Sequence, residues 1–546
     1  MRLFENQKRS YEDVYASFRW NIPEYFNIGT AVCDRHTDRR DQTALYLENA
    51  AGEEKRLSFG ELKSCSDRFA GALRETGVRK GDRVGIVLPQ RAETAVAHIA
   101  VYKLGAIALP LSVLFGRDAL SYRLSDSGAR VVVTDAARAN TIEAIREETP
   151  ALETVIVCRD GPEATEFWSM LNRASENITP EKTRSDDPAI LIYTSGTTGP
   201  PKGALVAHRG LLGNLTGFEL SQNFFPQPGD LMWTPADWAW TGGLLDGLVP
   251  SLFYGVPVLG YEGGKFDPET AFALMEKYAV RNAFIPPTAL KMMMQVPDAP
   301  RRYRLKLRSI MSAGEQVGAE VVQWADKALA VKVNEMWGQT EFNYLVGNCA
   351  EMFPVRPGSM GRPYPGHAVD VIDENGVPVA DGEIGELAAR RGDPVMFLGY
   401  WQNEAATREK FAGDWFCTGD VGYRDGDGYL WFVGRKDDVI SSAGHRVGPG
   451  EVEDCLLKHP AVAQAAVIGS PDELRGSIIK AFIVLADGHA ASDELVADIQ
   501  QSVRTRLAAH EYPREIEFID ELPLTTTGKV RRIELRQREM DKKQSG

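Results

Sequence analysis

Short β-branched runs alternate with helix-spaced apolar patterns up to about residue 330 of this chain. The strand-like runs are "RVGIVL" (Arg83–Leu88), "ARVVVTD" (Ala129–Asp135), "TVIVC" (Thr154–Cys158), Ala189–Tyr193 and "SIMSAGE" (Ser309–Glu315), several beside turn residues. Between them lie segments such as "FGELKSCSDRFAGALRETG", apolar at helical spacing. Strands separated by helices return parallel, so the pattern predicts an α/β fold with largely parallel sheets. From Met360 the texture changes to short strands with Gly/Asp turns, as in "YRDGDGYLWFVGR", which predicts a small β-rich subdomain. After "GRKDD" (Gly434–Asp438), helix and strand patterns alternate within about a hundred residues, the size of a compact α+β domain. The terminal "VRRIELRQREMDKKQSG", rich in Arg and Lys, reads as a solvated helix that frays.

A chain of 546 residues is too long for one core. The expected division is residues 1–434, a hinge at 435–437, and 438–546. A net charge of −14 argues against nucleic-acid binding, and anionic ligands would need locally focused Lys and Arg. The six cysteines are far apart with no CxxC pair, which predicts free thiols in a reducing compartment and no zinc site. "MRLFENQKRSYEDVY" has no apolar core of a signal peptide, so the cytoplasm is expected. The longest apolar stretch, Ala95 to Phe115, is broken by His98, Lys103 and Pro110. It reads as a buried helix followed by a strand, not a membrane span.

"IYTSGTTGPPKGALV" (Ile192–Val206) places hydroxyls, glycines and one lysine directly after a strand. Bare N–H groups, hydroxyl donors and an ammonium on one loop suit a polyphosphate. The Walker pattern does not fit: counting from Gly196, its second glycine falls on Pro201, and Lys202 is followed by Gly203.

Five motifs then follow in order: "YTSGTTGPPKG", "MWGQTE" (Met336–Glu341), "TGD" (Thr418–Asp420), "GRKDDVISSAGHRVGPGEVE" (Gly434–Glu453) and "PLTTTGKVRR" (Pro523–Arg532). This series resembles the adenylate-forming superfamily of acyl-CoA synthetases, peptide-synthetase adenylation domains and firefly luciferase, from about residue 35 to Arg532. The resemblance implies that Thr194, Ser195, Gly196, Thr197, Thr198, Gly199 and Lys202 wrap the ATP phosphates. It implies that Gly314 and Glu315 line the adenine pocket, that Trp337 stacks on adenine, and that Glu335, Met336, Gly338 and Gln339 complete that wall. Trp337 stands where the family usually has Tyr. Thr340 is implied at the adenylate phosphate, Glu341 on Mg²⁺ as a hard oxygen ligand, Asp420 on the ribose hydroxyls, and Arg435 on ribose or phosphate. Lys529 is implied as the mobile cation that stabilises charge as R–COO⁻ attacks the α-phosphorus.

"SSAGHRVGPGEVE" resembles the CoA-dependent branch. There Gly444 lets pantetheine pass, Ala443, His445 and Arg446 surround it, and Arg475 meets a CoA phosphate. A free-standing CoA ligase is therefore expected, using ATP, CoA and Mg²⁺. Lys529 and Gly444 serve different half-reactions from one small domain, so a rotation near Lys436 and Asp437 is implied. Lys529 sits where a lysine acetyltransferase could reach it, and a homodimer is compatible with the sequence.

The acyl pocket is expected from "TPADWAWTGGLLDG" (Thr234–Gly247) and "MWGQTE". Gly338 replaces a bulky Trp of acetate-restricted relatives, and Thr241, Gly242 and Ala313 stand where those relatives have larger residues. Trp238 and Trp240 supply apolar wall. The resemblance points to the medium-chain branch and to medium, branched or cyclic acids. Three alternatives stay open: an aryl-CoA ligase, an adenylation enzyme that loads a carrier protein, and a non-enzymatic nucleotide binder.

Overall fold

The structure, a computed structural model, describes residues 2–545 except 5–8, 159–165, 195–199, 443–444, 473–475, 508–511 and 526–528. The chain forms two compact units. The first comprises Met1–Pro357, Gly361–Ala368 and Arg390–Glu409, the second Gly358–Met360, Val369–Ala389 and Lys410–Gly546. The β-rich stretch therefore belongs with the C-terminal residues, and the hinge expected at 435–437 falls inside the second unit.

The strands of the first unit are β1 (Thr43–Asn49), β2 (Glu54–Ser58), β3 (Arg83–Val87), β4 (Ile107–Pro110), β5 (Val131–Asp135), β6 (Thr154–Cys158), β7 (Pro188–Thr194), β8 (Lys202–Ala207), β9 (Met232–Trp233), β10 (Val258–Glu262), β11 (Asn282–Phe284), β12 (Ser309–Ser312), β13 (Val333–Gln339) and β14 (Phe342–Gly347). One sheet runs Gly399–Tyr400, β8, β7, β4, β3, β5, β6; a second contains the order β14-β13-β12-β11-β9-β10-β1-β2. Pairing is parallel from β7 through β4, β3 and β5 to β6, and from β13 through β12, β11, β9 and β10 to β1. The α/β expectation thus holds, and the antiparallel partners sit at the ends: β2 on β1, β8 on β7, β14 on β13.

Each element has a local cause. Helix Phe59–Glu75 starts at a capping box in which Ser58 and Glu61 satisfy each other's backbone N–H. The apolar stretch from Ala95 becomes the buried helix Ala92–Lys103 followed by β4. Lys103 ends that helix with no side-chain exposure, its ammonium held by Asp34 (2.6 Å), Asp67 (2.5 Å) and Ser66 (3.0 Å). A buried cation survives only with such partners.

In the second unit, the strands Val369–Ile372, Gly385–Arg390, Trp415–Arg424 and Leu430–Arg435 are neighbours in that order, the first two antiparallel to each other and the last two likewise, and Val462–Asp472, Gly476–Leu485 and Glu515–Phe518 form a separate sheet. The terminal helix, Arg532–Ser545, corrects the expectation of a fraying end. Leu535 is fully buried beside Ile468 and Phe482. Glu539 accepts from Lys480 at 2.5 Å and from Ser470 at 2.8 Å, and Arg532 forks onto Glu453 at 2.6 and 2.8 Å. One helix face carries Arg532, Leu535 and Glu539 at i, i+3, i+7, so a composition that looks solvated hides an anchoring stripe. All six cysteines are free. Among the described residues, no helix is long and apolar enough to cross a membrane.

Candidate functional site

The "MWGQTE" motif is a β-hairpin. β13 ends at Gln339, β14 begins at Phe342, Gln339 pairs with Phe342, and Thr340–Glu341 form the turn between them. Glu335, Met336 and Trp337 are buried, whereas Gly338, Gln339 and Thr340 are half-buried at the tip. Trp337 lies at a tilt on Phe342 with centroids 5.6 Å apart.

Gly338 sits at a register shift between Trp337 and Gln339. A Cβ there would lie 2.9 Å from the Tyr344 nitrogen and 3.1 Å from both Asn343 Cα and the Phe342 carbonyl oxygen. Its missing side chain is thus required by the close approach of the hairpin backbones at a bulge. The glycine at this position thus has a structural cause beside its expected role as pocket space.

Glu341 is buried at 8% exposure, so its carboxylate needs partners. Tyr400 donates its hydroxyl to Oε1 at 2.5 Å, and the Phe397 N–H donates to the Glu341 carbonyl at 2.8 Å. Both partners lie on the segment 393–400. Helix Arg209–Ser221 holds that segment: Arg209 donates to the carbonyls of Asp393 (3.3 Å), Pro394 and Met396 (3.1 Å). Gly213 of the same helix permits the contact, since a Cβ there would meet the Val395 nitrogen at 2.5 Å. One turn on, a Cβ at Gly217 would meet the Tyr344 ring at 2.5 Å, so the same helix face also seats β14. Nothing in the sequence pattern marked Tyr400; the tertiary path of the 393–400 segment selects it.

Lys202 opens β8 and pairs with Thr194 at the end of β7, so the two strands close the phosphate-type loop as a hairpin. Thr194 Oγ1 donates to the Lys202 carbonyl at 3.3 Å. The Lys202 ammonium stands 5.4 Å from the centroid of the Tyr400 ring. Thr194, Lys202, Tyr400, Glu341 and the hairpin tip are therefore one neighbourhood. Ser195, Gly196, Thr197, Thr198 and Gly199 lie outside the described residues. Gly314, after β12, has φ +96° and open space where a Cβ would be, so a flat group can approach its backbone. Glu315 Oε2 accepts from Thr288 at 3.0 Å.

The expected acyl-binding residues divide. Trp238 is fully buried, with its ring edge 3.0 Å from the Cβ position of Gly260, so it is core beneath the site and not exposed wall. Trp240 is half-buried and meets Phe115 edge-on at 5.5 Å. Thr241 and Gly242 open a short helix, both half-buried, and Ala313 is 8% exposed. The space above Gly242 is taken: a Cβ would lie 2.4 Å from Phe284 Cε1. Phe284, at the end of β11, was not foreseen, because no local pattern links it to Gly242.

Two carboxyls flank this region. Asp237 accepts from Ser112 Oγ at 3.0 Å and from the Ala239 N–H at 3.1 Å, and burial pushes it up to about 6. Asp246 is deeply buried with the Asn343 amide as its hydrogen-bond donor, and burial holds it far above the usual carboxylate range. Asn343 ties β14, two residues past Glu341, to that buried carboxyl.

In the second unit, Asp420 and Arg435 are opposite each other on neighbouring strands, with Oδ1 2.6 Å from Nη1. Lys436 donates to Glu386 at 2.8 Å, and the Asp437 carbonyl accepts from Arg536 at 3.3 Å. Lys529 is exposed on a turn in which its N–H meets Thr525 Oγ1 (3.0 Å) and its carbonyl meets the Thr525 N–H (2.7 Å). Ala443, Gly444 and Arg475 lie outside the described residues, as do the side chains of His445 and Arg446.

A single carboxylate at the hairpin tip suits a hard cation that takes most of its oxygens from phosphates and water. Among the described residues, no cluster of three or more His, Cys, Asp or Glu forms an all-protein cage. Glu341 fits Mg²⁺ on these terms.

The family model of AMP-binding enzymes matches residues 33–401, and that of the AMP-binding enzyme C-terminal domain matches residues 451–529. Acetyl-coenzyme A synthetase of Bacillus subtilis (strain 168) is 37% identical, covering 98% of this chain and 96% of its own. Mitochondrial acyl-coenzyme A synthetase ACSM3 of Mus musculus is 34% identical, covering 97% and 93%. The crystal structure of the anthranilate CoA ligase AuaEII in complex with anthranoyl-AMP superposes with a TM-score of 0.85 at 30% identity, covering 95% of this chain and 98% of that one. With both family models matched in order and relatives aligned over nearly the whole length, the chain belongs to the AMP-binding enzymes, in their acyl-CoA synthetase branch.

Proposed function

We propose that this protein is an ATP-dependent carboxylate–CoA ligase acting on medium-chain, branched or cyclic acids. The observation that carries the nucleotide half is the convergence of Glu341, Lys202 and the Thr194-to-Lys202 hairpin around Tyr400. It brings Thr194 and Lys202, the two ends of the expected phosphate loop, into the neighbourhood of the Glu341 carboxylate. In this reading, Thr194 and Lys202, with the intervening loop, take the β- and γ-phosphates. Thr340 takes the α-phosphate and Glu341 the Mg²⁺, which would neutralise developing pyrophosphate charge. Asp420 and Arg435 take the ribose, Trp337 and Gly314 the adenine face.

The substrate carboxylate oxygen forms a bond to the α-phosphorus while the bond to the leaving pyrophosphate breaks. Lys529 supplies positive charge to that step. The CoA sulfur then attacks the acyl carbon, AMP leaves with the electron pair, and the thiol proton passes to solvent. Ala443, Gly444, His445, Arg446 and Arg475 serve this second step. The exposed position of Lys529 leaves it open to acetylation, which would remove its charge. The free cysteines support a reducing compartment, the cytoplasm in this reading.

An aryl acid is the second reading. The likeness to the anthranilate CoA ligase favours it, as does the Phe284 ring over Gly242, which offers a flat wall. Pyrophosphate release measured over a panel of straight-chain, branched and aromatic acids, with and without CoA, tests both. A CoA-dependent turnover maximum on acids of about four to eight carbons supports the first reading. A maximum on acetate removes it.

A further inference from the structure

We infer that Tyr400 is the positioning residue that sets Glu341 and Lys202 for nucleotide binding; this rests on the nucleotide reading proposed above. The phenol touches both charges. Its hydroxyl donates to Glu341 Oε1 at 2.5 Å, and its ring lies under the Lys202 ammonium at 5.4 Å. Tyr400 is itself held from several directions. It pairs with Ala204 of β8, its N–H meets Thr407 Oγ1 at 2.8 Å, and Phe397 packs edge-on at 5.1 Å. Only 7% of its surface is exposed, so the phenol has little freedom to turn away.

The chemistry explains why a tyrosine stands here. A phenol O–H donates strongly to a carboxylate and occupies one of its oxygens, which orients the other. The face of the ring attracts an ammonium without neutralising it. One side chain thus keeps a carboxylate and a lysine apart within the same neighbourhood. Without it, the two could pair with each other and leave neither for phosphate and metal. Phenylalanine keeps the ring contact and loses the donor; leucine loses both.

The test is a Mg²⁺ titration of binding of a fluorescent, non-hydrolysable ATP analogue to the full-length protein. Tyr400→Phe should raise the half-saturating Mg²⁺ concentration about 10-fold, the usual scale for losing a partner that orients a metal-binding group. Its binding of the analogue in EDTA should stay unchanged. Tyr400→Leu should also weaken analogue binding in EDTA by about 2- to 5-fold through loss of the ring contact. Both variants should lose less in the conversion of synthetic acyl-adenylate and CoA to thioester than in adenylation, because Mg²⁺ and the departing pyrophosphate take part only in the first step. An unchanged Mg²⁺ midpoint in Tyr400→Phe overturns the inference, as does equal loss of both half-reactions with a lowered melting temperature. Glu341→Ala in the same titration separates the causes. If it shifts the midpoint and Tyr400→Phe does not, only the role of Tyr400 fails. If Glu341→Ala leaves the midpoint unchanged, the metal reading of Glu341 fails and takes this inference with it.

Discussion

Asp420 and Arg435 face each other across two antiparallel strands, carboxylate to guanidinium at 2.6 Å. The pair joins two residues that the family resemblance assigned separately, Asp420 to the ribose hydroxyls and Arg435 to ribose or phosphate. Asp420 is buried and Arg435 is about one-third exposed, so the arginine is the accessible member. Arg435→Ala would remove one charged donor from a buried carboxylate. AMP binding, measured by calorimetry, should weaken about 10- to 100-fold, the range for losing one hydrogen bond to a charged group. Unaltered affinity would show that the pair is only a strand clamp.

Gly338 and Phe284 make opposite predictions about acid selection. Gly338→Trp forces a side chain against the Asn343–Tyr344 backbone. It should lower the melting temperature and depress adenylation of every acid, not redirect the enzyme towards acetate. Phe284→Ala removes the ring over Gly242 and should shift the best acid to one longer by several carbons, each added methylene contributing about 0.8 kcal/mol. An acid profile that Phe284→Ala leaves unmoved would remove Phe284 from the pocket wall.

Lys529→Ala should slow adenylation by about 10²–10³-fold, since a single electrostatic group in a transition state is worth roughly 3–4 kcal/mol. Thioester formation from synthetic acyl-adenylate should persist. Gly444→Leu should show the reverse, with adenylate accumulating. Equal loss of both half-reactions in both folded variants would end the assignment of these residues to separate steps.

Asp237 makes stability depend on pH. Its value rises from an ordinary 3.8 to about 6 because burial penalises the charge. Between those values the folded chain binds more protons than the unfolded one, so stability falls as pH climbs through that window and is level above it. Asp237→Asn keeps an acceptor for the Ala239 N–H and can donate to Ser112, but cannot ionise. Urea melts at about pH 4.5 and pH 7 should show the native protein losing about 2 kcal/mol more than the variant between them. Parallel losses would remove Asp237 as the cause.

Leu535 tests the anchored terminal helix. It is fully buried beside Ile468 and Phe482. Leu535→Ala should cost about 2–5 kcal/mol in the unit that contains it. A change below ~0.5 kcal/mol would restore the picture of a solvated helix.

Much of the architecture was legible because it rests on local chemistry. Short β-branched and apolar runs and helix-spaced patterns located β3, β5, β6, β7 and β12 and helix Phe59–Glu75, and glycine, hydroxyl and lysine spacing marked the loop ending at Lys202. What tertiary structure alone decided are contacts between residues far apart in sequence. Gly213 admits Val395, which carries Phe397 and Tyr400 onto Glu341; Phe284 lies over Gly242; Leu535 fastens a helix whose composition is that of a solvated one. Gly338 shows the same limit within one motif: the sequence records a missing side chain, but only the approach of the paired strand says why. Local propensity depends on neighbours along the chain, whereas packing depends on which surfaces the fold brings within a few ångströms, and no spacing rule encodes that.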